Sequence, residues 1–220
     1  MTARTIADPQ GFILANTRLQ HPQHTPELAL YLADEITPIW RLTEEELGEI
    51  GLPPPFWAFA WAGGQALARY LFDHPAEVTG RSVFDVGTGS GLVAIAAMKV
   101  GAKAANGCDL DGFCAAAVAV NARANAVTVG FARRDPLEHD PPDAEVICAG
   151  DVCYEQPLAD RAIAWLRRAH DLGARVLLGD PGRTYFPKAG LVKLAEYSVP
   201  TTRELEDAEV KRTAVWTFPG

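Results

Sequence analysis

The sequence predicts an α/β protein built on a parallel, doubly wound sheet, and three observations carry that expectation. From residue 82 onward, short apolar strand-like runs alternate with helical runs, the rhythm of strands joined by crossover helices. A glycine-rich turn connects the first of these strands directly to the first helix, in "SVFDVGTGSGLVAIAAMKVGA". The chain has 220 residues, 48% of them hydrophobic, enough for one core of ordinary size.

Before residue 55 the pattern is short and broken. Thr25 followed by Pro26 predicts a helix start for "TPELALYLADEI", as an N-cap and first helical residue. "TEEELGEIG" offers a capping box of Thr43 and Glu46 closed by Gly51. These two helices predict an N-terminal helical extension over 1–55 and a main domain over 56–220. Glu44, Glu45, Glu46 and Glu49 read as a solvated helix start favoured by the helix dipole, with a docking surface for a basic loop as the alternative.

"LPPPFWAF" breaks the chain, and "AWAGGQALARYLFDHP" resumes helical spacing at Leu67, Tyr70 and Leu71. Strand "SVFDV" then leads to helix "GLVAIAAMKVG", strand "AANGCDL" to helix "GFCAAAVAVNARANA", and "TVGFARR" through a loop to strand "AEVICAG". Helix "PLADRAIAWLRRAHDLG" opens with Pro157 and ends at Gly173, with Leu158, Ala162, Trp165, Leu166 and Ala169 on one face. Strand "ARVLLGD" follows. The tail holds two β-rich runs, "LVKLAEYSVPT" and "VKRTAVWTF", separated by the charged "RELEDAE".

Composition narrows the function classes. A net charge of -8 argues against binding to a nucleic-acid backbone, which needs clustered Lys and Arg. No run reaches the roughly 18 apolar residues of a membrane span, and the first residues carry no apolar signal stretch. A cytoplasmic protein is therefore expected. Cys108, Cys114, Cys148 and Cys153 lack C-x-x-C spacing and read as reduced, buried small hydrophobes. No Mg²⁺ or Zn²⁺ site is expected, and the five histidines read as surface or satisfied core residues.

The glycine turn limits the ligand. A P-loop needs a terminal Gly-Lys-Ser/Thr, and no lysine precedes Lys99. A dinucleotide fingerprint needs glycine at position 92, where Leu92 stands. What remains is G-x-G-x-G, Gly87, Thr88, Gly89, Ser90 and Gly91, preceded by Asp85 on the strand and followed by Asp109 and Leu110 in "CDLD" at the end of the next strand. This arrangement resembles motif I of the seven-strand S-adenosylmethionine-dependent methyltransferases. The resemblance implies a Rossmann-like, twisted, mostly parallel seven-strand sheet of the class I type. It makes S-adenosylmethionine the cofactor, with Asp109 accepting the ribose hydroxyls, a role that suits an acceptor-only carboxylate. Asp135, ending the third strand, is a candidate for the adenine amino group, or a plain loop carboxylate.

The acceptor side is carried by "GDVCYE" after the fourth strand, where Asp151 and Tyr154 form D-x-x-Y. That motif resembles the post-strand motif of a group of protein lysine methyltransferases. With "WAGGQAL" and "GDPGR", the likeness extends over roughly residues 55–190. It points to the family of lysine methyltransferases that modify the electron transfer flavoprotein β subunit, and so to a protein substrate. The resemblance implies that Asp151 orients the incoming amine and Tyr154 lines a narrow entry, with Asp180 and Arg183 of "GDPGR" as substrate contacts. Trp57 and Trp61 are either core aromatics or walls of the acceptor and cofactor pocket, where indole faces favour cations. The competing enzyme readings are a methyltransferase for a small, nicotinamide-like amine or for a ribosomal protein. From another class, the rival is a non-catalytic cofactor-binding scaffold.

Overall fold

A computed structural model describes residues 6–34, 36–47 and 54–220. The N-terminal part contains α1 (Pro9–Asn16), β1 (Arg18–Gln20), β2 (Leu30–Leu32) and α2 (Ile36–Leu47). Next come α3 (Ala62–Asp73), β3 (Ser82–Val86), α4 (Leu92–Lys99), β4 (Ala104–Asp109), α5 (Gly112–Ala124), β5 (Gly130–Arg133), β6 (Val146–Gly150), α6 (Gln156–Asp171) and β7 (Arg175–Asp180). The chain closes with β8 (Val192–Pro200), α7 (Arg203–Glu206) and β9 (Val210–Thr217).

The main sheet has seven strands in the order β5-β4-β3-β6-β7-β9-β8. The first five are mutually parallel. β9 inserts antiparallel between β7 and β8, so the two β-rich runs of the tail form a hairpin that completes the sheet. The strand order reverses between β3 and β6, and in an open α/β sheet that switch point opens a crevice beyond the carboxyl ends of the strands. The glycine turn after β3 and the D-x-x-Y loop after β6 therefore meet at the same crevice.

Apolar side chains cover both faces of the sheet. On one, α3 and α4 bring Ala66, Leu67, Leu71, Leu92, Ile95 and Ala96 together with Leu28, Leu30 and Leu32 of the N-terminal segment. On the other, α6 lays down Ala159, Ala162, Trp165, Leu166 and Ala169 against Phe84, Ile147 and Val176. The expected face of α6 holds except at its start, where Ala159 rather than Leu158 is buried. All four cysteines are free and buried.

The N-terminal expectations need correction. "TPELALYLADEI" is not a helix: Thr25–Leu28 is a turn, and Leu30–Leu32 pairs antiparallel with β1. The buried Leu28, Leu30 and Leu32 recur at the two-residue period of a strand. The backbone N–H groups of Tyr31 and Ala29 donate to the side-chain oxygens of Asn121 and Asn125 on α5, at 2.7 Å and 3.0 Å. Those tertiary bonds take backbone groups that a helix would have used. Thr43 is not a cap either, since it lies inside α2 and its hydroxyl donates back to the Ile39 carbonyl at 2.8 Å. Gly51 and Glu49 lie outside the described residues. α1, capped by Asp8 with Pro9 at its first position, was not expected.

The feature that positions the site is the seating of α3 on the sheet. A Cβ on Gly63 would overlap the Gly179 carbonyl oxygen and stand 2.5 Å from Asp151 Oδ2, whereas one on Gly64 would meet only Leu92 and Val93 side chains, the nearer at 3.7 Å. Gly63→Ala must therefore push α3 away from backbone that cannot yield. It is expected to lower stability by about 1–3 kcal/mol, while Gly64→Ala is tolerated. Thermal or denaturant unfolding of the two variants checks this, and equal stability of both would contradict the close seating.

Candidate active site

The turn after β3 takes its shape from three glycines with positive φ, Gly87 at 64°, Gly89 at 50° and Gly91 at 84°. Such values strain any residue that carries a Cβ. Gly91 caps α4, and Asp85 holds the turn from below. Its Oδ2 accepts from the Thr88 hydroxyl at 2.6 Å and from the Ala94 amide at 3.2 Å. Asp85 is 2% exposed and Thr88 6%, so these two candidate cofactor residues build the turn from inside.

Asp109, at the end of β4, accepts from the Gly89 amide at 3.1 Å and from the Asp111 amide at 3.0 Å. The carboxylate thus stands beside the bare backbone of the turn. A Cβ on Gly87 or Gly89 would find nothing nearer than 3.8 Å, which leaves room for a ligand to lie against the turn. Open glycine backbone with an acceptor-only carboxylate at its edge fits an adenosyl cofactor. Leu110 is exposed beside it. Asp135 caps the turn at 136–138 through the Leu137 amide and pairs with Arg161 at 2.8 Å.

Across the switch point, Asp151 sits in a left-handed backbone conformation, φ 57°. A non-glycine residue there is strained by about 1–2 kcal/mol. The conformation is held by its own amide, which donates to the Gly179 carbonyl at 2.9 Å. It is held further by its carboxylate, which accepts from the Gly64 amide at 2.9 Å and from Arg183 Nε at 3.0 Å and Nη2 at 2.5 Å. Burial pushes Asp151 up to about 6, opposed by Arg183 and reinforced by Glu206 and Asp180. Asp180 anchors the turn of "GDPGR": its Oδ1 accepts from the Gly182 and Arg183 amides at 2.7 Å and 2.8 Å. Its Oδ2 is buried without a hydrogen bond, and burial raises its pKa.

Tyr154 is half exposed and packs against Phe56, ring centroids 5.6 Å apart, and Phe56 packs edge-on to Trp61 at 5.4 Å. The Phe56 carbonyl accepts from Trp61 Nε1 at 3.0 Å and lies 3.8 Å from where a Gly89 Cβ would stand. These three rings thus form one rim against the glycine turn, and the Arg183 guanidinium lies 5.9 Å from the Trp61 centroid. Burial raises the Tyr154 hydroxyl, with Glu155 and Asp109 adding and Arg183 opposing. Trp57 belongs to the core instead: it is fully buried and stacked on Phe113, with no face for a substrate. Sequence reasoning missed Phe56, which it read only as part of a chain break, and Glu206, which it placed in a charged connection. Adjacent aromatics in "PFW" could have flagged Phe56. Nothing local marks Glu206.

Asp85 gives the turn a pH signature. Burial pushes it up to about 7, with the Thr88 and Ala94 hydrogen bonds opposing and Asp109 adding slightly. The folded state therefore prefers the protonated carboxyl. The stability this contributes is complete below the unfolded value near 4, is lost as pH rises to about 7, and is constant above. Asp85→Asn, whose amide oxygen can accept the same bonds, is expected to flatten that part of the thermal-stability profile. Equal slopes between pH 4 and 7 in variant and parent would rule out the raised carboxyl.

Comparison with known proteins agrees with this geometry. The family profile described as Ribosomal protein L11 methyltransferase (PrmA) matches residues 66–150. The electron transfer flavoprotein beta subunit lysine methyltransferase of Danio rerio is 35% identical over 218 residues, 96% of this chain and 83% of that protein. That of Homo sapiens is 35% identical over 227 residues, covering 98% and 85%. Among solved structures, a ribosomal protein L11 methylase from Lactobacillus delbrueckii subsp. bulgaricus aligns with a TM-score of 0.52 at 19% identity, over 74% of this chain and 81% of that one. A magnesium protoporphyrin IX methyltransferase from Synechocystis, solved with bound SAM, aligns with a TM-score of 0.53 at 18% identity, over 71% and 78%. The folds agree, and the identity over nearly the whole length decides the family: the chain is an S-adenosylmethionine-dependent methyltransferase and belongs to the electron transfer flavoprotein beta subunit lysine methyltransferase family.

Proposed function

We propose that this enzyme methylates lysine side chains of the electron transfer flavoprotein β subunit, with the acceptor amine entering between the aromatic rim and Asp151. One observation carries the assignment of the site. The switch point of the sheet brings the glycine turn with Asp109 and the buried Asp151 of D-x-x-Y to the same crevice, in a chain whose family is named for lysine methylation of that protein. A cytoplasmic location belongs to the same proposal.

S-adenosylmethionine, when bound, supplies a methyl carbon on a positively charged sulfur. Gly87 and Gly89 offer it open backbone, and Asp109, Leu110 and Trp61 border the place. A lysine at pH 7 must first lose a proton, at a cost of more than about 4 kcal/mol. Burial and a neighbouring positive charge lower that cost. A carboxylate has about four lone-pair positions; Asp151 spends three on Gly64 and Arg183, and Oδ2 has room for one amine N–H. Tyr154, Phe56 and Trp61 restrict the direction of approach, so positioning rather than strong base catalysis supplies most of the rate.

The test is incubation with purified electron transfer flavoprotein and labelled S-adenosylmethionine, beside a ribosomal stalk protein and nicotinamide. Label on lysines of the β subunit is expected; label confined to either comparison substrate would overturn the substrate assignment. Asp151→Asn is expected to lower turnover by roughly 10²-fold while changing cofactor affinity less than about twofold, and Tyr154→Phe to cost less. Asp109→Ala is expected to weaken cofactor binding by roughly 10- to 100-fold, the value of lost charge-assisted hydrogen bonds. Calorimetry of both aspartate variants beside the methylation assay separates the two halves. Loss of cofactor binding in Asp151→Asn would move that residue out of the acceptor role.

A further inference from the structure

We propose that Glu206 is a positioning residue for methyl transfer, acting through Arg183 to fix the Asp151 carboxylate; the inference rests on the acceptor role proposed for Asp151. Glu206 ends α7, a helix of four residues between β8 and β9. Thr202 caps its start by accepting from the Leu205 amide at 3.3 Å, and Asp207 ends it in a left-handed conformation. The neighbours Arg203, Asp207 and Glu209 are exposed, whereas Glu206 is 4% exposed. Its Oε1 accepts from Arg183 Nη2 at 3.1 Å and from the Ala62 amide at 3.3 Å.

The same Nη2 donates to Asp151, and the same first turn of α3 donates from Gly64 to Asp151. The contacts close a ring: α3 to Asp151, Asp151 to Arg183, Arg183 to Glu206, and Glu206 back to α3. Arg183 without Glu206 would keep one carboxylate partner and lose the second point that orients its planar fork. Buried ion pairs contribute little net stability, because desolvation offsets their attraction. What the ring secures is direction: it holds the Asp151 carboxylate in one orientation between Gly64 and Arg183. A residue buried 55 positions after Asp151 in the chain thus acts on the acceptor side without touching the substrate.

The groups facing Asp151 are Arg183, Glu206, Asp180 and Cys153, and Glu206 is one of those that raise it. Kinetics are measured on the full chain with the flavoprotein substrate, well below the melting temperature of each variant. Glu206→Ala is expected to lower kcat at least 10-fold with KM for S-adenosylmethionine within twofold. Glu206→Gln retains an acceptor oxygen for Arg183 and Ala62 and is expected to keep kcat within threefold at pH 8, while an acid-side break of the pH profile that follows Asp151, whose carboxyl Glu206 helps to raise, is expected to move to lower pH than in the parent. A kcat for Glu206→Ala within twofold of the parent would overturn the proposal. So would a Glu206→Gln variant as impaired as Glu206→Ala, or one whose pH break does not move. Asp151→Asn run in parallel separates the levels: if it retains turnover, the acceptor role falls and this inference with it. If only Glu206→Ala retains turnover, the inference alone falls.

Discussion

Backbone lies directly on backbone where the start of α3 crosses the ends of β6 and β7, and the site depends on that contact. Gly63 faces the Gly179 carbonyl, and a Cβ on Gly150 would come within 3.0 Å of the Gly64 amide and Cα. Only residues without side chains permit such an approach. Its consequence is electrostatic: the first-turn amides of α3, which lack intrahelical acceptors, are brought against two buried carboxylates, Asp151 and Glu206. A helix start favours negative charge. Here both charges come from distant parts of the same chain, and they tie the turn after β7 and the C-terminal hairpin to the loop after β6.

This arrangement makes the half of the crevice proposed for the acceptor acidic and tightly held. Three carboxylates, Asp151, Asp180 and Glu206, face the guanidinium of Arg183, and burial is the leading influence on Asp151, Asp180 and Arg183. An excess of buried negative charge beside an aromatic rim suits a side chain that arrives as a cation; carboxylates favour that charged form, so loss of its proton has to come from desolvation and from the positive sulfur of the cofactor. The cofactor half is built differently. There the positive-φ glycines open the backbone, and Asp85 and Thr88 brace them from below.

The parts of the fold written in local pattern were legible. β3, the turn, α4, β4 and α5 follow from alternating apolar runs and glycine spacing, and the residues at their junctions, Asp109 and Gly91, lie where that pattern puts them. The position of Asp151 and Tyr154 directly after the fourth strand of that series, at the crevice, was legible too. The N-terminal segment was misread because Thr25-Pro26 is a genuine local helix signal that tertiary bonds from Asn121 and Asn125 override. Arg183 was visible in "GDPGR", but its partner was not, since Asp151 lies 32 residues away. Glu206 meets Ala62 across 144 residues. Nothing in "RELEDAE" distinguishes Glu206, which turns inward, from Asp207 and Glu209, which stay in water. Trp57 and Trp61 carried the same expectation and parted, since only the fold decides that one stacks on Phe113 in the core while the other joins the rim.

The most direct test is a crystal structure of the enzyme with S-adenosylhomocysteine and a lysine peptide from the flavoprotein β subunit. The expected result is product density against the turn of Gly87 to Gly91 with its ribose at Asp109. The lysine should reach Asp151 between Phe56, Trp61 and Tyr154, with Arg183 still bridging Asp151 and Glu206. A lysine entering from another side of the crevice, or an Arg183 released from Asp151 in the complex, would contradict it.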